Sequence, residues 1–159
     1  MKLLAGAFAL LLVTSVIQAA EPVVAANPAD QAKMLQSSDP QLAANKKLVY
    51  DMWRSFLTAR HIEAADQYLA PEYHQHNPNA DTGREGVKAY FKALNLQPIP
   101  VPDTIPGLIS ITAERDLVSL AFVRTLKDKD GKEYTTTGFD MFRVANGKIV
   151  EHWDIATKP

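Results

Sequence analysis

The sequence contains no cysteine, which excludes disulfide bonds, thiolate metal sites, iron–sulfur clusters and cysteine nucleophiles. It also lacks an excess of either charge, because 17 Lys and Arg residues stand against 18 Asp and Glu residues. That balance argues against a basic nucleic-acid-binding protein and against an acidic disordered tail. The G-x-G-x-x-G, Walker, G-x-S-x-G and H-E-x-x-H motifs are missing too, so nucleotide cofactors and serine-type acyl transfer have no support. The chemistry is left to carboxylates and to four histidines: His61, His74, His76 and His152.

The long apolar run of the sequence lies at its N-terminus. Lys2 is followed by residues 3–17, which are almost wholly apolar, and Ala19 and Ala20 are small residues of the kind that signal peptidase requires. The run is about 15 residues long, below the roughly 20 that span a bilayer. We therefore predict a signal peptide over residues 1–20 and a periplasmic or secreted protein with no membrane attachment after cleavage. An uncleaved N-terminal anchor is the alternative.

The mature chain divides into an arm and one domain. Residues 21–39 are rich in alanine and contain prolines, which predicts a flexible arm or linker with at most a short helix at 28–35. A single domain is predicted over residues 40–157. Without disulfides, this domain has to be stabilised by its hydrophobic core.

Three helices are predicted at the start of the domain. Asp39 is a good N-cap and Pro40 a good first helical residue, and apolar residues at spacings of three and four extend the helix to about Arg60. A short helix is predicted over residues 62–69, and a third begins near Gly83. The apolar face of the first helix consists of Leu42, Leu48, Val49, Met52, Trp53, Phe56 and Leu57.

The hydrophobic period then changes from helical to strand-like. Residues 73–76 form a brief extended segment, and short turns connect four longer predicted strands, which indicates an antiparallel meander. Helices followed by a meander predict an α+β domain in which the helices cover one face of the sheet. The four strands are predicted at residues 108–113, 117–126, 133–144 and 148–155.

The last predicted hairpin carries three titratable residues that can meet. His152 and Asp154 are two residues apart and share a face of their strand, and Asp140 lies on the neighbouring strand. An imidazole beside two carboxylates in apolar surroundings is how general acid–base groups acquire usable pKa values. A structural polar cluster at the end of the sheet is the alternative interpretation.

The register of this hairpin decides whether Asp140 reaches His152. A two-residue turn at 146–147 places Asp140 opposite Trp153, whereas a three-residue loop at 145–147 places it opposite His152. Both registers are compatible with the sequence, and we favour the three-residue loop. It also collects four apolar side chains on one face: Phe139, Met141, Ile149 and Trp153.

Other residues are candidates for binding. His74 and His76 share a face of an extended strand, so they can line a pocket, and H-x-H can also chelate a metal. His61 is expected to be an exposed cation at a helix C-terminus. A strand arginine such as Arg124 or Arg143 can bind a substrate carboxylate, although ion-paired arginines are commoner. The remaining pocket candidates are the aromatic residues Tyr50, Trp53, Tyr73, Tyr90 and Phe142.

The order of these elements, together with several short motifs, resembles a known family. The motifs are Tyr73-His74-Gln75-His76-Asn77-Pro78, Gly83-Arg84-Glu85-Gly86, Asp140-Met141-Phe142-Arg143, and Gly147-Lys148-Ile149-Val150-Glu151-His152-Trp153-Asp154. They resemble the SnoaL-like polyketide cyclase branch of the nuclear transport factor 2-like superfamily. The resemblance extends over roughly residues 41–155.

The resemblance implies a cone-shaped α+β fold, in which three N-terminal helices pack on a strongly curved antiparallel sheet around a pocket, often as a homodimer through the sheet. It implies acid–base catalysis of an aldol ring closure by Asp154, without a metal or organic cofactor, assisted by His152 and partnered by Asp140. Polyketide cyclases tend to have histidine at the position of Asp140, and polyketide tailoring is intracellular, so a polyketide substrate is less well supported than the pocket.

We therefore expect an exported, cofactor-independent acid–base enzyme that acts on a small carbonyl-containing or cyclic compound. The expected reaction is an aldol-type cyclisation, an isomerisation or a lyase step in an apolar pocket. The alternatives are a non-catalytic module that binds a small ligand or a protein, and a metal-dependent enzyme that uses His74 and His76.

Overall fold

The computed structural model describes residues 24–156, and the predicted signal peptide at residues 1–20 lies outside them. No helix within residues 24–156 combines the length and the apolar character needed to cross a membrane. The elements, in chain order, are α1 (Pro28–Met34), α2 (Pro40–Met52), α3 (Ala65–Tyr68), β1 (Leu69–Gln75), α4 (Arg84–Ala93), β2 (Leu108–Glu114), β3 (Leu117–Lys127), β4 (Glu133–Ala145) and β5 (Lys148–Asp154).

The strands form one curved, unclosed sheet in the order β1-β5-β4-β3-β2. Strands β2 to β5 are the predicted antiparallel meander, and their ends differ from the predicted ones by one residue or less. β1 is longer than the predicted segment and pairs in parallel with β5 at the edge. The α+β class is therefore confirmed, and the four helices α1 to α4 belong to it.

The predicted long helix begins as expected. The Asp39 side chain accepts hydrogen bonds from the backbone N–H groups of Gln41 (2.8 Å) and Leu42 (3.3 Å), which satisfies two free donors of the first turn. Regular α-helix ends at Met52, and the chain continues as a π-helical segment, Trp53–Thr58. A 3₁₀ segment, Ile62–Ala64, then leads into α3, so the second predicted helix is present in two short parts.

The segment expected to be a flexible arm is docked on the domain, which corrects that expectation for residues 24–39. Gln31 is only 3% exposed, and its amide exchanges two hydrogen bonds of 3.0 Å with the backbone of Ile105. The hydroxyl of Tyr50 donates to the same Gln31 amide at 2.8 Å. The backbone N–H of Ala26 donates to Leu108. A polar side chain satisfied in this way fixes α1 against the core.

The core lies between the helices and the concave face of the sheet. Alternation along β4 and β5 turns every second side chain toward the helices. The largest fully buried side chains are Val49, Met52, Leu69, Ile105, Leu108, Val118, Leu120, Phe142 and Ile149. The concave face is therefore mostly apolar, and its polar side chains include the acidic and imidazole groups of β4 and β5.

Candidate functional site

The turn between β4 and β5 is a two-residue turn, so the three-residue loop that we favoured is wrong. Asn146 and Gly147 both have positive φ angles, 52° and 71°, and Val144 pairs with Ile149. Asn-Gly adopts this turn readily because its backbone twist matches that of the adjoining strands. Ile149 is fully buried with Val144, whereas Phe139 is 56% exposed. The four apolar residues that were expected on one face are consequently divided between the two faces of the hairpin.

A β-bulge then changes the register again. Val144 pairs with Ile149 but Arg143 pairs with Glu151, so Val150 is an extra residue in β5. Beyond the bulge, Asp140 lies opposite Asp154, and not opposite Trp153 or His152 as the two simple registers require. All three titratable groups nevertheless share the concave face.

Asp140, His152 and Asp154 form a compact cluster. Each offers one nitrogen or oxygen atom that lies within 4.8 Å of the other two, and His152 Nε2 is 3.8 Å from Asp140 Oδ1. The His152 ring stacks on Phe142, with ring centroids 4.4 Å apart and planes 7° from parallel. The side chains of Asp140 and His152 are 12% and 10% exposed, so the cluster is largely shielded from water.

Two amide side chains orient the cluster. Gln75 Oε1 accepts a hydrogen bond from the backbone N–H of Asn77 (3.0 Å) and lies 3.1 Å from His152 Nδ1, which is therefore the protonated nitrogen. His152 Nε2 is left buried, without a hydrogen-bond partner among the described residues. Asp154 accepts hydrogen bonds from Asn77 Nδ2 (2.6 Å) and the backbone N–H of Ala156 (2.8 Å). Both groups are thus held in fixed orientations.

Tyr73 adds a hydroxyl to the same surroundings. It is 3% exposed, and its oxygen accepts a hydrogen bond of 3.3 Å from Gln75 Nε2. Burial raises the pKa of Tyr73 far above its usual value, and the nearby charges of Asp140 and Asp154 raise it further. The hydroxyl therefore stays protonated and can donate a hydrogen bond.

A pocket lies between this cluster and the helices. Its space is about 420 Å³ when the part that opens to solvent is counted. Asp140 does not line this inner pocket. It lines a second recess, which lies at the mouth of the inner pocket. The inner pocket is lined by Met52, Phe56, Leu57, Leu69, Tyr73, Gln75, Asn77, Ala80, Val87, Tyr90, Phe91, Phe142, His152 and Asp154.

The predicted strand residues divide between the two faces of β1. Tyr73 lines the pocket, but His74 and His76 do not, because side chains alternate along an extended strand. His76 stacks on Trp153 (5.0 Å between centroids) and contacts Glu151 Oε1 through Nε2 at 2.8 Å, on the convex face. The assignment of His74 and His76 to the pocket is therefore corrected. The same alternation, counted from Tyr73, would have identified Gln75 and Asn77, which the sequence analysis missed.

Of the other aromatic candidates, Phe142 and Tyr90 line the pocket, whereas Tyr50 and Trp53 do not. Tyr50 is turned toward Gln31, as described above. Trp53 packs edge-on against Phe122 (4.9 Å) and Phe142 (6.2 Å). It therefore supports the pocket wall from behind.

The structure bears differently on the two possible metal sites. Within residues 24–156, the one group of three potential ligands that lie close together is Asp140, His152 and Asp154. One imidazole nitrogen and two carboxylate oxygens are a donor set that a divalent cation can use. His74 and His76 form no such group of three in that part of the chain, although Glu151 contacts His76. His61 is exposed, as expected, with Nε2 2.9 Å from the carbonyl oxygen of Ile99.

Comparison with known proteins gives a consistent result. The family model of the SnoaL-like domain matches residues 49–152. A "putative polyketide cyclase" from Acidithiobacillus ferrooxidans has 22% identity and a TM-score of 0.54, over 76% of this chain and 90% of that one. A "putative SnoaL-like polyketide cyclase" from Jannaschia sp. CCS1 has 16% identity and a TM-score of 0.55, over 76% and 91%.

A third solved structure is TerC crystallised with polyporic acid, with 16% identity and a TM-score of 0.52, over 72% of this chain and 92% of that one. At these identities the structures show a common fold. Comparison with curated proteins gives no match.

Proposed function

The chain belongs to the SnoaL-like domain family, and we propose that it is a cofactor-independent acid–base enzyme acting on a small carbonyl-containing or cyclic compound. The fold and its neighbours support an enzyme-like or ligand-binding role. The finer assignment is to aldol-type cyclisation, isomerisation or a related lyase step. These reactions share one requirement, which is removal of a proton from carbon beside a carbonyl group.

The buried His152 Nε2 is the observation that carries this proposal. It has no hydrogen-bond partner in residues 24–156, lies 3.8 Å from Asp140 Oδ1, and belongs to a side chain that lines an apolar pocket. A buried polar atom without a partner lowers stability. Two carboxylates in the same shielded cluster add to that cost. Such an arrangement is typical of a site that handles protons.

The geometry gives each group a role in proton transfer. Asp154 takes the proton from the carbon beside the substrate carbonyl, and the C–H electron pair moves into a new carbon–carbon double bond as the carbonyl oxygen becomes an enolate. The protonated Tyr73 hydroxyl donates a hydrogen bond to that oxygen. In a cyclisation, the enolate carbon then attacks a second carbonyl group of the substrate. The proton held by Asp154 passes to the new alkoxide, either directly or through Nε2 of His152, and Asp154 returns to its carboxylate form. Asp140 stabilises the protonated form of His152.

Hydrogen–deuterium exchange tests the first step directly. The exchange of the α-protons of 2-tetralone and 1-indanone in D₂O, followed by NMR, is expected to be faster with the protein than without it. Asp154→Asn should lower the catalysed rate by about 100-fold or more. Tyr73→Phe should lower it by roughly 100-fold, the usual effect of losing one oxyanion donor. Asp116→Asn, in the turn between β2 and β3, is the matched control and should leave the rate unchanged.

Two outcomes of this experiment contradict the proposal. Exchange that proceeds equally in wild type and Asp154→Asn removes Asp154 as the base. Exchange that disappears in EDTA and returns with a divalent cation contradicts a cofactor-independent mechanism, and assigns the three-residue cluster to a metal.

A non-catalytic binding module of the same fold is the second candidate. It is favoured by Asp154, whose two oxygens each already accept a hydrogen bond, and by the mostly apolar wall of the pocket. This candidate expects no exchange with either ketone. It also expects Asp154→Asn to leave ligand affinity and the free energy of unfolding nearly unchanged.

Export and dimerisation are part of the proposal. The apolar N-terminus supports cleavage after Ala19 or Ala20, which N-terminal sequencing of the protein recovered from the periplasm or medium would test. The exposed Phe139 and the half-buried Trp153 on the convex face support a homodimer through the sheet. Phe139→Glu should then convert a dimer into a monomer in sedimentation experiments, and a monomeric wild type would overturn the dimer.

A further inference from the structure

Arg124 lies at the mouth of the pocket. It belongs to β3, where Phe122 and Arg124 alternate with outward residues and face the helices. Together with Tyr90, Phe122, Asp140 and Asp154, Arg124 lines a recess that continues the inner pocket toward solvent. A guanidinium group is thereby placed on the same cavity as the acid–base cluster.

A glycine on the neighbouring strand makes room for this arginine. A Cβ atom added to Gly138 would lie 2.6 Å from Arg124 Cδ and 2.5 Å from Phe122 Cε2. Contacts this short do not occur between real side chains, so any larger residue at 138 would displace both neighbours. The absence of a side chain at this buried position lets the stem of Arg124 lie across β4.

The guanidinium of Arg124 makes no ion pair and no hydrogen bond with any residue between 24 and 156. Other arginines in this part of the chain do: Arg54 pairs with Asp51, Arg84 with Asp66, and Arg143 with Asp116 and Glu151. Arg124 is half-buried, so its charge is only partly solvated. A half-buried guanidinium that faces a cavity without a protein partner is available to a ligand.

We propose that Arg124 binds a carboxylate of the substrate, and that the substrate is an amphipathic organic acid. Its apolar ring or chain occupies the inner pocket beside Phe91 and Phe142, and its carboxylate lies at the mouth. The planar guanidinium matches a carboxylate with two parallel hydrogen bonds. It also offsets the repulsion that Asp140 and Asp154 exert on an anion. This inference deepens the proposed function and rests on it for the identity of the pocket as the substrate site.

Two probes of nearly the same shape test the inference. The dissociation constants of 2-naphthoate and of the neutral 2-acetonaphthone are measured by calorimetry with the purified protein. Wild type should bind the naphthoate about tenfold more tightly than the ketone, as expected for a charge-assisted hydrogen bond. Arg124→Gln should reduce the ratio to about one, and Arg124→Lys should restore part of it. Arg143→Gln, which removes an ion-paired arginine from the convex face, is the control and should keep the wild-type ratio.

Three results overturn the inference: a wild-type ratio near one, a ratio that Arg124→Gln leaves unchanged, and the failure of both probes to bind. Thermal unfolding of each variant shows that a lost preference does not come from a lost fold. The ratio does not depend on turnover, so it separates this inference from the proposed function. If Arg124→Gln changes the ratio of dissociation constants but no ketone undergoes hydrogen–deuterium exchange, the pocket binds organic acids and the proposed enzyme activity is contradicted. If exchange occurs but Arg124→Gln leaves the ratio unchanged, the enzyme activity is supported and the carboxylate-binding role of Arg124 is contradicted.

Discussion

The β4–β5 hairpin has two faces that treat their titratable side chains in opposite ways. On the convex face, Arg143 donates hydrogen bonds to Glu151 (2.8 Å) and to Asp116 (2.6 Å), and Glu151 also contacts His76 at 2.8 Å. Every acidic group of this network has a cationic or imidazole partner. Exposed pairs of this kind contribute little to stability and cost little to replace.

On the concave face, Asp140, His152 and Asp154 lie together with no arginine or lysine ion pair in the described part of the chain. They are also more buried than the convex pairs. Uncompensated charge in a shielded site lowers stability. The two faces are built from alternate residues of the same strands, so the backbone does not account for the difference. The concave groups are therefore the ones to which a chemical role is assigned.

The largest expected effect concerns packing on the two faces of β4. Phe142 is 1% exposed, stacks on His152 and packs edge-on against Trp53, whereas Phe139, three residues earlier, is 56% exposed. Phe142→Ala should lower the free energy of unfolding by about 3–5 kcal/mol, because it removes a buried ring and leaves a cavity. In the monomer, at protein concentrations low enough to dissociate the proposed dimer, Phe139→Ala should change it by about 0.5 kcal/mol or less. Urea unfolding of the two variants measures both.

A comparable loss from both variants at low protein concentration would contradict this distinction. At higher concentrations, the proposed homodimer through the sheet buries Phe139 and should make the loss from Phe139→Ala larger. Repeating the Phe139→Ala measurement over a hundredfold range of protein concentration separates these cases, because dimer stability depends on concentration.

Much of the fold follows from local patterns in the sequence. Asp39 and Pro40 identify the start of α2, and short turns between β-periodic segments identify the meander to within one residue. The shared face of His152 and Asp154 follows from their spacing alone. These features depend on neighbours in the chain, which a single sequence displays.

The rest depended on contacts that are distant in sequence. The bulge at Val150 has no local signal, yet it sets which residue of β5 faces Asp140. The docking of Gln31 needs Ile105 and Tyr50, which lie far along the chain. The exclusion of His74 and His76 from the pocket does not depend on distant contacts. It follows from strand alternation, which places these two side chains on the face opposite to Tyr73.

The second effect concerns charge and is expected to have opposite signs on the two faces. Asp140→Asn removes one of two neighbouring carboxylates from a shielded site, and should raise the free energy of unfolding by about 1 kcal/mol while slowing ketone exchange. Asp116→Asn removes a partner of Arg143, and should lower stability slightly without affecting exchange. Urea unfolding at pH 7 and the exchange assay provide the two readouts. If Asp140→Asn instead lowers the free energy of unfolding markedly, the Asp140 carboxylate stabilises the folded state and this prediction is contradicted.

The smallest effect is the pH dependence of the convex network. Hydrogen bonds from His76 and Arg143 lower the pKa of Glu151 below its usual 4.5, and the hydrogen bond from Arg143 lowers that of Asp116 below 3.8. A carboxyl group whose pKa is lower in the folded state stabilises the protein above its ordinary pKa, and that contribution is lost as the pH falls through the folded-state value.

Wild-type stability should therefore decline as the pH falls below about 4.5, and Arg143→Gln should make the decline shallower, because Glu151 and Asp116 then titrate closer to their ordinary pKa values. Arg124→Gln removes the same charge from a position without an ion-pair partner in residues 24–156. Its stability should therefore decrease with falling pH in the same way as that of wild type. Thermal unfolding between pH 7 and pH 3 compares the three proteins. If wild type and Arg143→Gln lose stability in parallel as the pH falls, the ion pairs of the convex face do not stabilise the folded state. The two faces would then not differ in the electrostatic stabilisation of their charged groups.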